Sequence, residues 1–199
     1  MKKLLPILVL CISQLVSAQE KNQSIGFFYS SFGANGYFDW DSLKFLFDKD
    51  SLADINSVQL PPSGEAFYDI GLSYTQYWSK TFEFQSGITY SRHRFEKEAT
   101  LIQENLLEIP VGLKINLVKY LFIKGDVLLD FNLGSKTTSN TRSGIGFQAS
   151  AGLQFPFQSG LNVYLSPFYN GRSILPFGDP TNNDPIISAG LRIGMSYRI

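Results

Sequence analysis

From Ile186 to Ile199 the chain alternates without interruption. Ile187, Ala189, Leu191, Ile193, Met195, Tyr197 and Ile199 fall on one side, and Ser188, Gly190, Arg192, Gly194, Ser196 and Arg198 on the other. Successive side chains of a strand point to opposite faces, so this pattern specifies a β-strand with one apolar and one polar face. A helix would mix the two sets. A strand of this length with arginines on its polar face, preceded by several strands of the same kind, predicts a transmembrane β-barrel in an outer membrane. Lipid touches the apolar row, and the polar row lines the inside.

Reading for the same period gives eight candidate strands, near 24–32, 66–78, 82–91, 105–117, 120–133, 144–157, 161–170 and 186–199. The second places Tyr68, Ile70, Leu72 and Tyr74 outward against Asp69, Gly71, Ser73 and Thr75. The third places Phe82, Phe84, Ile88 and Tyr90 outward against Glu83, Gln85, Gly87, Thr89 and Ser91. Links between strands alternate, at about 33, 3, 10, 3, 10, 3 and 15 residues, the asymmetry of long extracellular loops and short periplasmic turns. Trp78, Phe82, Tyr120, Phe155, Phe157 and Tyr197 gather at the short-turn end, as an interfacial aromatic girdle requires. Pro110 and Pro167 remove ladder donors, so bulges or local breaks are expected there. A mean hydropathy near zero fits a barrel, because every strand averages an apolar row with a polar one.

The first residues carry an address. Lys2 and Lys3, the apolar run from Leu4 to Val16, and the small-residue site Val16-Ser17-Ala18 describe a signal peptide over 1–18, leaving 19–199 as the barrel domain. The run is too short to span a bilayer as a helix, and no later segment approaches about 18 uninterrupted apolar residues. Cys11, the only cysteine, lies inside the signal behind Leu10 rather than a small residue, which argues against lipidation. The processed chain then has no cysteine for a disulfide, a metal site or thiol catalysis. Without Lys2 and Lys3 the balance moves from 17 basic against 17 acidic residues to 15 against 17, about −2, which offers nothing to nucleic acid.

The segments Leu107-Glu108-Ile109-Pro110-Val111-Gly112-Leu113-Lys114, Gly144-Ile145-Gly146-Phe147 through Gly152-Leu153, and Gly190-Leu191-Arg192-Ile193-Gly194-Met195-Ser196-Tyr197-Arg198 resemble the PorT-like, outer-membrane β-barrel domain family of Bacteroidota. The likeness covers nearly all of the processed chain and rests on pattern more than on invariant residues. It implies an eight-stranded outer-membrane barrel. Some members are similar to components of type IX secretion and gliding. The chain ends in Ile199, where other bacterial barrels commonly carry an aromatic residue.

Eight strands close around a space that side chains can fill. The inward charges Glu83, Glu108, Lys114, Lys124, Asp126, Asp130 and Arg192 are therefore expected to pair with one another as a lumen network. A narrow or gated solute path, or a ligand-binding barrel, is the alternative, helped by the room that inward Gly71, Gly87, Gly112, Gly152, Gly190 and Gly194 leave. A third reading is a rim-site lipid-modifying enzyme built on His93 with Ser91 and Glu96 or Glu98, but any serine-rich barrel supplies such a trio by chance. Arg92 and Arg94 beside it suit lipopolysaccharide phosphates instead. Glu108, Asp126 and Asp130, or the loop residues Asp179, Asn182, Asn183 and Asp184, lack the ligand spacing of a metal site, so no metal or cofactor is expected.

The segment 33–65 is unusual for a solvated loop. Tyr37, Phe38, Trp40, Phe45, Phe47, Leu52, Ile55 and Val58 stand among carboxylates, and Ser51 and Asp54 have the spacing of a helix-start capping box. Short helices sealing the barrel mouth, or a docking surface for an envelope protein or glycan through Phe38, Trp40, Phe45 and Phe47, are the two expectations. The sequence thus predicts a structural or partner-binding barrel in contact with outer-membrane lipid and lipopolysaccharide, without chemistry of its own.

Overall fold

Each period-two run becomes a strand because alternate apolar rows share one environment and alternate polar rows another. The computed structural model describes residues 22–37, 67–97, 100–134, 143–178 and 185–199. Its elements are β1 (Gln23–Tyr37), β2 (Tyr68–Tyr77), β3 (Phe82–Lys97), β4 (Thr100–Val118), β5 (Leu121–Asn132), β6 (Gly144–Pro156), β7 (Leu161–Pro176) and β8 (Ile186–Arg198). Every strand pairs antiparallel with the next, and β8 returns to pair with β1, so the sheet closes into an eight-stranded barrel. No helix occurs among the described residues. Closure leaves no sheet edge along the body of the barrel.

Three tight turns lie at one end. Ser79 Oγ accepts from the backbone N–H of Thr81 at 3.1 Å and of Phe82 at 2.9 Å, fixing the β2–β3 turn. The β4–β5 turn is Lys119-Tyr120. In the β6–β7 turn Gly160 takes φ 88°, a left-handed backbone that favours glycine, and its N–H reaches Phe157 O at 3.1 Å. Trp78, Phe82, Tyr120, Phe155, Phe157 and Tyr197 are all exposed at this end. Above them an exposed apolar belt circles the outside, with Phe27, Leu72, Ile88, Leu113, Val127, Phe147, Leu165 and Ile193 among its members.

The structure corrects the sequence reading in several places. The expected ten-residue link between the third and fourth strands is strand instead: β3 and β4 continue to Lys97 and Thr100, which are paired. Cross-strand backbone bonding extends the hairpin past the apolar belt, which side-chain patterning alone does not show. Similarly, β1 runs on to Tyr37, so Gly33 to Tyr37, read as the start of the loop, pair with Ile186 to Gly190 of β8. The local breaks expected at the prolines do occur: β3–β4 pairing skips Ile109 and Pro110, and β6–β7 pairing skips Ser166 and Pro167, with the register kept across each gap. Register shifts lie elsewhere, between Ser30 and Phe32, between Asn116 and Val118, and where β7 passes Ile145 to Phe147. Residues 1–18, with the expected signal, lie outside the described residues, as do Phe38, Trp40, Phe45 and Phe47 and the loop residues Asp179, Asn182, Asn183 and Asp184.

Candidate functional site

The polar rows of all eight strands converge on the axis, and the side chain that organises them is Arg172. It sits near the end of β7, where the strand bulges and Ser173 takes φ 53°. The bulge is held from two strands away, because the Ser173 N–H donates to an oxygen of Asp130 on β5. Arg172 is completely buried. Its Nε donates to Glu108 Oε1. Its Nη1 donates to Ser188 Oγ at 2.8 Å and Asn170 Oδ1 at 3.1 Å. Its Nη2 donates to both oxygens of Asp69 at 3.1 Å and to Ser91 Oγ at 3.3 Å. One planar fork thus ties β2, β3, β4, β7 and β8 together, a task that guanidinium geometry suits and a lysine could not perform.

Nearer the short turns the charges pair more simply. Lys114 Nζ meets Glu83 Oε2 at 3.1 Å and Gln154 Oε1 at 2.6 Å, and lies 4.7 Å from the centre of the Phe122 ring. Asn116 Nδ2 donates to Glu83 Oε1 at 2.6 Å. Lys124 meets Asp126 Oδ2 at 3.1 Å, and the same oxygen accepts from Gln148 Nε2 at 2.9 Å. Arg192 joins the two levels: its Nη2 donates to Gln148 Oε1 at 3.0 Å and lies 3.8 Å from Asp69 Oδ2. Its guanidinium is sandwiched between Phe28 at 4.3 Å and Phe168 at 4.9 Å from the ring centres.

The space beside the inward glycines is filled, contrary to the expectation of room for a solute. A methyl group added at Gly71 would strike the Phe28 ring, at Gly152 the Phe122 ring, at Gly190 the Phe67 and Phe168 rings, and at Gly194 the Tyr164 ring. At Gly112 it would strike the Asp126 carboxylate. Glycines here are sockets for the large side chains of their register partners on the neighbouring strand, Phe28 for Gly71, Phe122 for Gly152, Phe168 for Gly190 and Tyr164 for Gly194, which is how a narrow lumen reaches interior packing density.

Glu83, Glu108, Lys114, Lys124, Asp126, Asp130 and Arg192 all point inward, but they do not form one network among themselves. Glu108 and Asp130 are held through β7. Arg172 and Asp69 complete the set, and the sequence reading omitted both from it. Asp69 was visible on the inward row of the second strand. Arg172 continues the inward series Ser166, Phe168, Asn170 by one more step, but lies beyond the point where that strand was taken to stop. Ser91 and His93 do share the inward face, yet not as an accessible rim. His93 is fully buried, its ring stacked 5.7 Å from Phe67 and its Nε2 4.0 Å from Asp69, while Ser91 Oγ accepts from Arg172. Among the described residues no grouping of His, Cys, Asp or Glu has the arrangement of a metal site.

No family model matches this chain, and no curated protein does. Several solved structures match along most of their length. Ail, the attachment invasion locus protein of Yersinia pestis, is 13% identical, with 89% of this chain and 97% of that one covered at a TM-score of 0.47. The outer membrane enzyme PagL is 15% identical, with 84% and 97% covered at 0.45. A transmembrane β-barrel designed de novo is 13% identical, with 91% and 98% covered at 0.42. The architecture itself stands on the strand pairing: the chain is a closed, eight-stranded antiparallel β-barrel.

Proposed function

We propose that this protein is an outer-membrane β-barrel that works as a structural or partner-binding component of the envelope, with no solute path and no chemistry of its own. The observation that carries the reading is the contrast between outside and inside. The outside is a continuous apolar belt far larger than the patches soluble monomers expose, edged by aromatic residues at the short-turn end. The inside is closed by Arg172, Arg192 and the Phe28, Phe67 and Phe168 rings. By its resemblance to the PorT-like barrels, the pathway it serves is secretion or gliding. Burial of His93 beneath Phe67, with Ser91 engaged by Arg172, supports a structural use of that pair.

Recording from the purified, full-length processed protein in planar bilayers tests the closed lumen. The expected result is the absence of stable conductance steps, and porin-sized steps overturn the reading. Partner binding is assigned to the apolar segment between β1 and β2. Deleting 38–58 is expected to abolish co-purification of an envelope partner while the barrel still folds, and retention of the partner by the deleted form argues for a mouth-sealing role instead.

A further inference from the structure

The outward face of β2, β3 and β4 changes character in successive rows towards the long-loop end. Leu72 stands beside Ile88, and Ile109 beside Leu129, in a fully apolar band. The next row is Ile70, Tyr90, Leu107 and Phe131, and above it Tyr68, Arg92 and Asn105 lie side by side. Arg94 opposite Gln103 follows, and Glu96 opposite Leu101 is the next register pair of the same parity. Elsewhere among the described residues the outward rim carries apolar side chains: Phe32 on β1, Leu133 after β5, and Leu175 and Phe177 at the end of β7 are all exposed. Arg92 and Arg94, the arginines of this rim among the described residues, therefore project from one sector, immediately beyond the level at which hydrocarbon ends.

The polar side chains of this sector form a cross-strand ladder. Tyr90 Oη donates to Asn105 Oδ1 at 3.0 Å, Gln103 Nε2 approaches the same oxygen at 3.5 Å, and Arg92 Nη2 donates to Gln103 Oε1 at 2.5 Å. The amide oxygens of Asn105 and Gln103 are thus engaged within the ladder. What it still presents outward is donors: Arg92 Nη1, Asn105 Nδ2 and the Arg94 guanidinium. Alternate residues of a strand are about 7 Å apart, a spacing that lets Arg92 and Arg94 reach one phosphate group from two sides. Tyr68 and Tyr90, with ring centres 6.1 Å apart, flank the ledge where acyl chains meet headgroups.

We propose that this ledge binds the phosphate of an anionic glycolipid of the outer leaflet, with Arg92, Arg94 and Asn105 as donors and Tyr90 and Gln103 holding them in place. The proposal rests on the membrane reading above, since only an embedded barrel brings a headgroup to this height. Charge-assisted hydrogen bonds to phosphate act at short range and need fixed donors, and the ladder supplies both conditions.

Native mass spectrometry on the full-length processed protein tests it, with bisphosphorylated lipid A, the same lipid A stripped of phosphate, and phosphatidylglycerol as probes. Wild type is expected to retain the phosphorylated lipid A about tenfold or more over the stripped form. R92Q/R94Q is expected to bring the two to parity, and Lys119→Gln, at the opposite end, to leave the preference intact. Equal retention of phosphorylated and stripped lipid A by wild type overturns the proposal, and so does equal retention of phosphatidylglycerol. A heat-dependent gel shift reports barrel folding for each variant. A protein that stays monomeric in buffer without detergent defeats the membrane reading itself, independently of the lipid result.

Discussion

The two halves of the lumen meet the same problem differently. Towards the long loops, Asp69 and Glu108 share the arginine fork of β7 while Asp130 takes the neighbouring Ser173 N–H, and Arg172 and Asp69 are wholly shut off from solvent. Towards the short turns, Glu83, Asn116 and Gln154 face a vestibule open between the three turns, and each charge there has one opposite charge and a neutral amide beside it. Burying an ion pair is close to neutral only while every partner is present, and removing one partner leaves a charge with nowhere to go. The first half is therefore all-or-none. The second half is expected to tolerate loss better, because Glu83, Asn116 and Gln154 border the vestibule.

That contrast can be broken by mutation. Arg172→Met strands Asp69 and Glu108 in the dry half and is expected to destabilise the folded barrel by about 3–5 kcal/mol, read as the urea midpoint in detergent or lipid. Adding Asp69→Asn and Glu108→Gln to that variant removes the stranded charges and is expected to restore most of the loss. A triple variant as unstable as the single one would locate the effect in packing around the guanidinium rather than in charge. Lys114→Met is expected to lower stability less, by about 1–3 kcal/mol, because Glu83 keeps the Asn116 donor and lines the vestibule. A cost equal to that of Arg172→Met would erase the distinction between the halves. Lys124→Gln is the mildest, at about 1 kcal/mol, since its side chain is 14% exposed and Asp126 keeps Gln148. A larger loss would show that Lys124 braces more than one carboxylate.

Much of the fold was legible along the chain, and the reasons are local. Period-two alternation at Ile187 to Ile199, or Tyr68 to Thr75, assigns each residue to the outer face or the lumen before any partner strand is known. The short turns were legible at Ser79-Lys80 and Gln158-Ser159-Gly160 because turn chemistry is also local. The extra length of β3 and β4 was not, because Arg92 to Lys97 leaves the apolar belt and only pairing with Thr100 to Asn105 keeps it strand. Among the interior residues, the candidate charges could be picked by parity. Their partners could not: Arg172 reaches residues 103, 81 and 64 positions away in sequence.

The sequence by itself determined that this chain closes a sheet with an apolar outside and a charged inside, since alternation fixes the face of every strand residue independently of the rest of the molecule. Only the tertiary structure decided which charges meet and that the inward glycines receive rings rather than leave a passage. Across a barrel, side chains from opposite walls come together at distances set by register and by local bulges, and neither is written in the period of any single strand.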